Sequence, residues 1–171
     1  MLASAPAMAA EKVDPAMPAI LPLVERAKVE DHWLKERLDT LVPMLMRRDN
    51  VQMWILISGE YHEDPVAETM LPATWLSARR RTILVFFDRG GDKGIERLVL
   101  ARYPVGDFVP SWNPDAQPDQ WAELAKIVRE RDPKTIALNR AAEFPLADGM
   151  TASHLVELTR AVGPKYAERF V

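Results

Sequence analysis

Cysteine is absent from this chain. That excludes disulfide scaffolds, thiol nucleophiles, thiolate zinc sites and iron–sulfur clusters together, and it fits an oxidising and a reducing compartment equally well. No apolar run approaches the roughly 20 residues that span a bilayer as a helix, so no membrane partner is expected. Charge of one sign does not accumulate either. The 22 Lys and Arg stand against 25 Asp and Glu, a formal net charge of −3. Nucleic-acid binders carry a basic face, so no nucleic-acid partner is expected; Arg79-Arg80-Arg81 is the only dense basic run. The sequence also lacks a nucleophile–base pair, a phosphate loop, an internal repeat and a two-ligand metal spacing such as H-x-x-x-H. The residues themselves therefore nominate no catalytic residue, no metal ligand and no cofactor site.

What is present is enough for one domain. The 171 residues are 48% hydrophobic, which permits a sizeable core. Residues 1–22 stand apart, with Pro6, Pro15, Pro18 and Pro22 between alanines and no periodicity. They read as an extended arm. Ala7-Met8-Ala9 also resembles the A-x-A end of a secretory signal, but no basic segment or long apolar segment precedes it. A signal remnant would place the protein in the periplasm or outside the cell; a plain leader would leave it in the cytoplasm.

From residue 23 onward the pattern alternates helix and strand. Residues 24–48 repeat Trp33, Leu34, Leu38, Leu41, Val42 and Leu45 at helical spacing, with Pro43 set to kink the helix. Residues 51–58 read as an inner strand, apolar on both faces. Residues 82–88 and 95–102 read as an antiparallel hairpin about a glycine-rich turn. A loop with three prolines leads to a helix starting at Pro118, with Trp121, Leu124, Ala125 and Val128 on one stripe. Residues 135–139 form a short strand, and Thr151 caps a last helix stopped by Gly163-Pro164. The fold class is α/β: a mixed β-sheet flanked by helices, with one antiparallel pair and one parallel crossover.

The long connection over residues 60–81 holds the candidate functional residues. It contains Glu60-Tyr61-His62-Glu63-Asp64 and the three arginines. A connection that long inside a compact domain is functional or lies against something else. Imidazole and carboxylates could bind a divalent metal, but neighbours on one loop seldom converge on an ion, and a solvated loop is the plainer alternative. Arg79 could bind a carboxylate or phosphate bidentately; the plainer alternative is a charged guard at a strand entrance. Tyr61, His62, Asp64 and Arg79 are the candidate cleft or interface surface. As surface groups, they are expected to contribute little to stability. Gly90-Gly91-x-x-Gly94 precedes a strand rather than a helix, so it is no dinucleotide fingerprint. Trp33, Trp54 and Trp121 lie on apolar faces and are expected in the core. Trp75 and Trp112 lie in loops and are expected on a contact surface.

In combination, Glu36-Arg37-Leu38-Asp39-x-Leu, Met53-Trp54-Ile55-Leu56 and Glu63-Asp64-Pro65-Val66, followed by the hairpin, resemble a known family. The chain from about residue 20 to 171 is similar to the N-terminal domain of the creatinase, prolidase and Xaa-Pro aminopeptidase metallopeptidases. The resemblance implies a ribonuclease-H-like topology and a role in walling the substrate cleft and forming homo-oligomers. It also implies that the chemistry belongs to a following pita-bread catalytic domain, where two Asp, one His and two Glu hold two divalent metal ions. None of those ligands maps onto a position here, so the chain is expected to be a detached, inactive N-terminal domain whose partner is that catalytic domain. A free-standing interaction module and a small independent hydrolase using the 60–81 loop are the competing functions.

Overall fold

A strand whose apolar side chains alternate between two faces needs a partner layer on each. The computed structural model, which describes residues 20–171, meets that need with a five-stranded sheet between two helical layers. The 1–22 arm falls mostly outside the described residues; Ile20, Leu21 and Pro22 are exposed and lead into helix α1 (Leu23–Glu36). A π-helical turn (Arg37–Leu41) joins α1 to α2 (Val42–Arg48). Strands β1 (Met53–Gly59), β2 (Arg81–Asp88) and β3 (Ile95–Leu100) form an antiparallel meander. Helix α3 (Pro65–Glu68) lies in the connection between the first two.

Strand β4 (Val109–Pro110) adds parallel to β3 at one edge. Helix α4 (Gln120–Arg131) then crosses over to β5 (Ile136–Leu138), which pairs parallel with β1. The order is β4-β3-β2-β1-β5. Helices α5 (Ala152–Val162) and α6 (Pro164–Ala167) follow. The chain closes the far edge: Ile136 donates to Arg169, and Val171 donates back to Ile136 at 2.9 Å.

The period of two sorts the sheet's side chains into two cores. Met53, Ile55, Ile57, Ile83, Val85, Leu98 and Leu100 point to the α4–α5 layer with Leu124, Val128 and Leu158. Leu56, Leu84, Phe86 and Val99 point the other way, to Leu34, Leu38, Val42 and Met46 of the first helical layer. Those four helical residues recur every fourth position. Four residues overshoot a 3.6-residue turn, so such a stripe would slew around a regular helix. The wider turn over 37–41, where Val42 donates to Arg37 one residue further back than usual, absorbs the overshoot. Pro43, lacking an amide proton, sits just after it.

Several sequence expectations are corrected here. Trp33 is 57% exposed, because the sheet-facing stripe runs through Leu34 rather than its neighbour. Trp54 and Trp121 are half-buried at the margins of the two cores. Trp75 and Trp112, expected on a contact surface, also pack partly against the cores, and Trp112 Nε1 donates to the Gln117 carbonyl at 2.7 Å. Helix α4 begins at Gln120 with Asp119 as its cap, two residues beyond the expected Pro118, because the Asp119 carboxylate accepts from Trp121 N. Strand β4, helix α6 and the pairing of the last three residues are too short to show a period and were not expected.

Candidate functional site

The carboxyl ends of β1, β3, β4 and β5 and the amino end of β2 all meet one edge of the sheet, as the pairings of Gly59 with Arg81 and of Ile83 with Leu100 require. In open α/β sheets ligands bind in the crevice outside the carboxyl ends of the strands. The 60–81 connection lies at this edge, and so do the first turns of α4 and α5.

A tight turn leaves β1. Gly59 and His62 exchange backbone hydrogen bonds at 3.0 Å, and Tyr61 takes a left-handed conformation, φ 62°. That turn pushes Tyr61 outward, 91% exposed, with His62 also exposed beside it. Farther along, Leu76 is 91% exposed and Arg79 is exposed too. Three of the four candidate surface residues, Tyr61, His62 and Arg79, thus stand in solvent at one edge.

Asp64 does not. It is fully buried, and this corrects its assignment to the surface. Its carboxylate caps α3, accepting from Val66 N and Ala67 N at 2.9 Å. It also accepts from Asn139 Nδ2 with both oxygens, at 2.9 and 2.8 Å. Its own amide donates to the buried Ser58 hydroxyl at 3.1 Å. Burial pushes the Asp64 carboxyl above the usual range, and the donors from Ala67, Asn139 and Val66 oppose that rise. Asp64 therefore ties β1, α3 and the end of β5 together. Asp-Pro preceding an apolar residue is an N-cap signal; the distant Asn139 partner has no local signal.

On the other side of the turn, Arg81 opens β2. Its Nε donates to Gln120 Oε1 at 2.7 Å, and its guanidinium lies 4.1 Å from the Trp121 ring centroid. Gln120 is itself buried and donates to the Leu100 carbonyl at 2.8 Å, fixing the guanidinium to two strands and a helix. His154, in the first turn of α5, packs edge-on against Trp121, with ring centroids 6.2 Å apart. Arg102 follows β3 and faces the Trp112 ring at 5.8 Å. Arg79, Arg81, Arg102, Trp112, Gln120 and His154 line one cleft of about 440 Å³. In the sequence only the arginine run, and Trp112 as a contact surface, stand out. The remaining residues come from three separate segments, each near an element boundary, and no short motif contains them.

Burial, then the charges of Arg81 and His62, hold the His154 imidazole below its ordinary value of 6.5. As pH falls, the unfolded chain binds this proton first, so its stabilising effect is complete above 6.5 and is lost between 6.5 and the lower folded value. Melting temperature followed from about pH 7.5 to about pH 5 is expected to fall less steeply for His154→Gln than for the unaltered protein. Parallel curves would show that His154 titrates as freely folded as unfolded.

Among the described residues, no three His, Asp or Glu side chains are grouped to hold a metal ion, and no helix is long and apolar enough to cross a membrane. Comparison of the chain with protein-family models, curated proteins and solved structures gives no match.

Proposed function

We propose that this chain is the non-catalytic N-terminal domain of a metallopeptidase of the Xaa-Pro aminopeptidase or prolidase kind, walling the substrate cleft and contributing to an oligomer interface. The observation that carries this interpretation is the carboxyl edge. Tyr61, Leu76 and Arg79 project from it without a partner inside the domain, as groups do when they meet another body. The meander β1–β3, with β5 added parallel beside β1, supports the ribonuclease-H-like arrangement that the sequence resemblance implies. In this proposal the two divalent ions and their ligands belong to the catalytic domain, and the residues of this chain position and enclose the substrate.

The first test is whether the reading frame continues past codon 171 into a domain with the two Asp, one His and two Glu. In the full-length protein, Tyr61→Ala and Arg79→Ala are expected to lower kcat/KM for Xaa-Pro peptides or to shift the oligomeric state. In the isolated chain the same changes should leave the melting temperature within about 2 °C, as surface substitutions away from buried features do. Unaltered kinetics and assembly in both variants would remove the cleft role. The same exposed residues would equally serve a free-standing interaction module, which a reading frame ending at codon 171 would favour.

A further inference from the structure

We propose that the arginine-lined cleft at the carboxyl edge binds a small dianionic oxyanion, a phosphate ester or a dicarboxylate. The inference does not rest on the peptidase interpretation. It rests on four arginines, Arg79, Arg80, Arg81 and Arg102, that line one cleft. Among the described residues, none of the four pairs with a carboxylate, as Arg47, Arg48, Arg97, Arg131, Arg160 and Arg169 do.

The two lining carboxylates are committed to backbone amides. Glu60 Oε2 accepts from Arg80 N at 3.2 Å, and Asp119 Oδ1 accepts from Trp121 N at 2.9 Å. Four positive groups against two negative ones leave the cleft with a charge of about two, which matches a dianion. Arg81 is only partly exposed and makes no ion pair among the described residues; burial lowers its pKa, and the more distant charges of Asp119 and Glu157 oppose that shift. A half-desolvated guanidinium is unfavourable unless an anion meets it. Gln120 and Trp121 already hold it in one orientation, so little ordering is left for a ligand to impose.

Geometry points the same way. Helices α4 and α5, 12 and 11 residues long, both start at this edge, and Gln120 and His154 of their first turns line the cleft. Helix amino ends carry partial positive charge and free amides that favour anions. About 440 Å³ suits a small molecule. The net charge of −3 argues against a long nucleic-acid strand as the occupant.

The test is isothermal titration of the full chain with inorganic phosphate and with succinate, at constant ionic strength set with sodium chloride. Saturable one-to-one binding is expected for at least one of them; whichever binds more tightly identifies the phosphate or the dicarboxylate source. Arg79→Gln combined with Arg102→Gln removes two exposed guanidiniums that make no hydrogen bond to the described residues, so the fold should persist, which circular dichroism checks. This pair is expected to weaken binding at least about tenfold. Arg48→Gln with Arg129→Gln, the latter in the last turn of α4, removes the same charge elsewhere and is expected to change binding less than about twofold. Absence of saturable binding for both anions, or equal weakening by the two double variants, would overturn the proposal. Either result leaves the peptidase interpretation to its own kinetic test.

Discussion

Gly149→Ala is expected to destabilise the protein by about 3 kcal/mol or more, although it adds a single methyl group. A Cβ at this position would run into the Asp64 carboxylate and lie 3.1 Å from the Asp64 Cα. Overpacking alone costs about 1–3 kcal/mol. Here it also displaces a carboxylate that caps a helix and satisfies a buried amide, worth about 1 kcal/mol and about 1–3 kcal/mol respectively. Asp64→Ala should cost about 2–4 kcal/mol for the second reason alone, by orphaning Asn139 and the first amides of α3. The two changes should be less than additive, since alanine at 64 makes room for the methyl group at 149. Urea titration of the two single variants and the double variant checks this. A loss below about 1 kcal/mol for Gly149→Ala would show that the segment moves aside freely.

Phe86→Ala is expected to cost about 3–5 kcal/mol. Phe86 is fully buried at the centre of the sheet, tilted against Trp54 at 5.7 Å and edge-on to Phe108 at 5.5 Å. Truncation leaves a cavity between the sheet and the first helical layer that cannot fully collapse. Trp54→Ala removes a larger ring but a partly exposed one at the core margin, so about 2 kcal/mol is expected despite its size. Denaturation midpoints in urea with unchanged slopes would establish both values. A larger loss for Trp54→Ala than for Phe86→Ala would reverse the assigned order of burial.

The sheet was legible because its side-chain period is carried by long apolar runs. Ile55, Leu56 and Ile57 bury on alternate faces, and the same alternation recurs in β2. Elements of two to four residues, such as β4 and α6, carry no period and exist because neighbouring strands and helices fix them. The candidate site divides along similar lines. The arginine run was visible, but Gln120, Arg102 and His154 reach the cleft only through the fold. Asp64 misled because a carboxylate inside a charged segment reads as solvated, and its burial depends on Asn139, which is 75 positions away.

The residues behind the family resemblance are largely structural. Arg37 donates to the Thr69 carbonyl. Asp39 receives Arg97 at 2.6 Å, while Leu38, Met53, Ile55 and Leu56 are core. The resemblance therefore bears on architecture first. The cleft lined by Arg79, Arg81 and Arg102 contains none of those motifs.

Strand β4 has a further consequence for self-association. It is two residues long and ends in Pro110, which offers no amide proton, while the opposite border is occupied by Arg169–Val171. Where these two segments lie, the margins are poor templates for a strand from another molecule, although β4 covers only Leu98 and Val99 of β3. Fibril-like stacking and strand exchange through the backbone are disfavoured, even though the central strands are rich in Ile, Leu, Val and Phe. This favours association through side chains on helices and loops over strand addition, and such contacts can be tuned or abolished by single substitutions without unravelling the sheet.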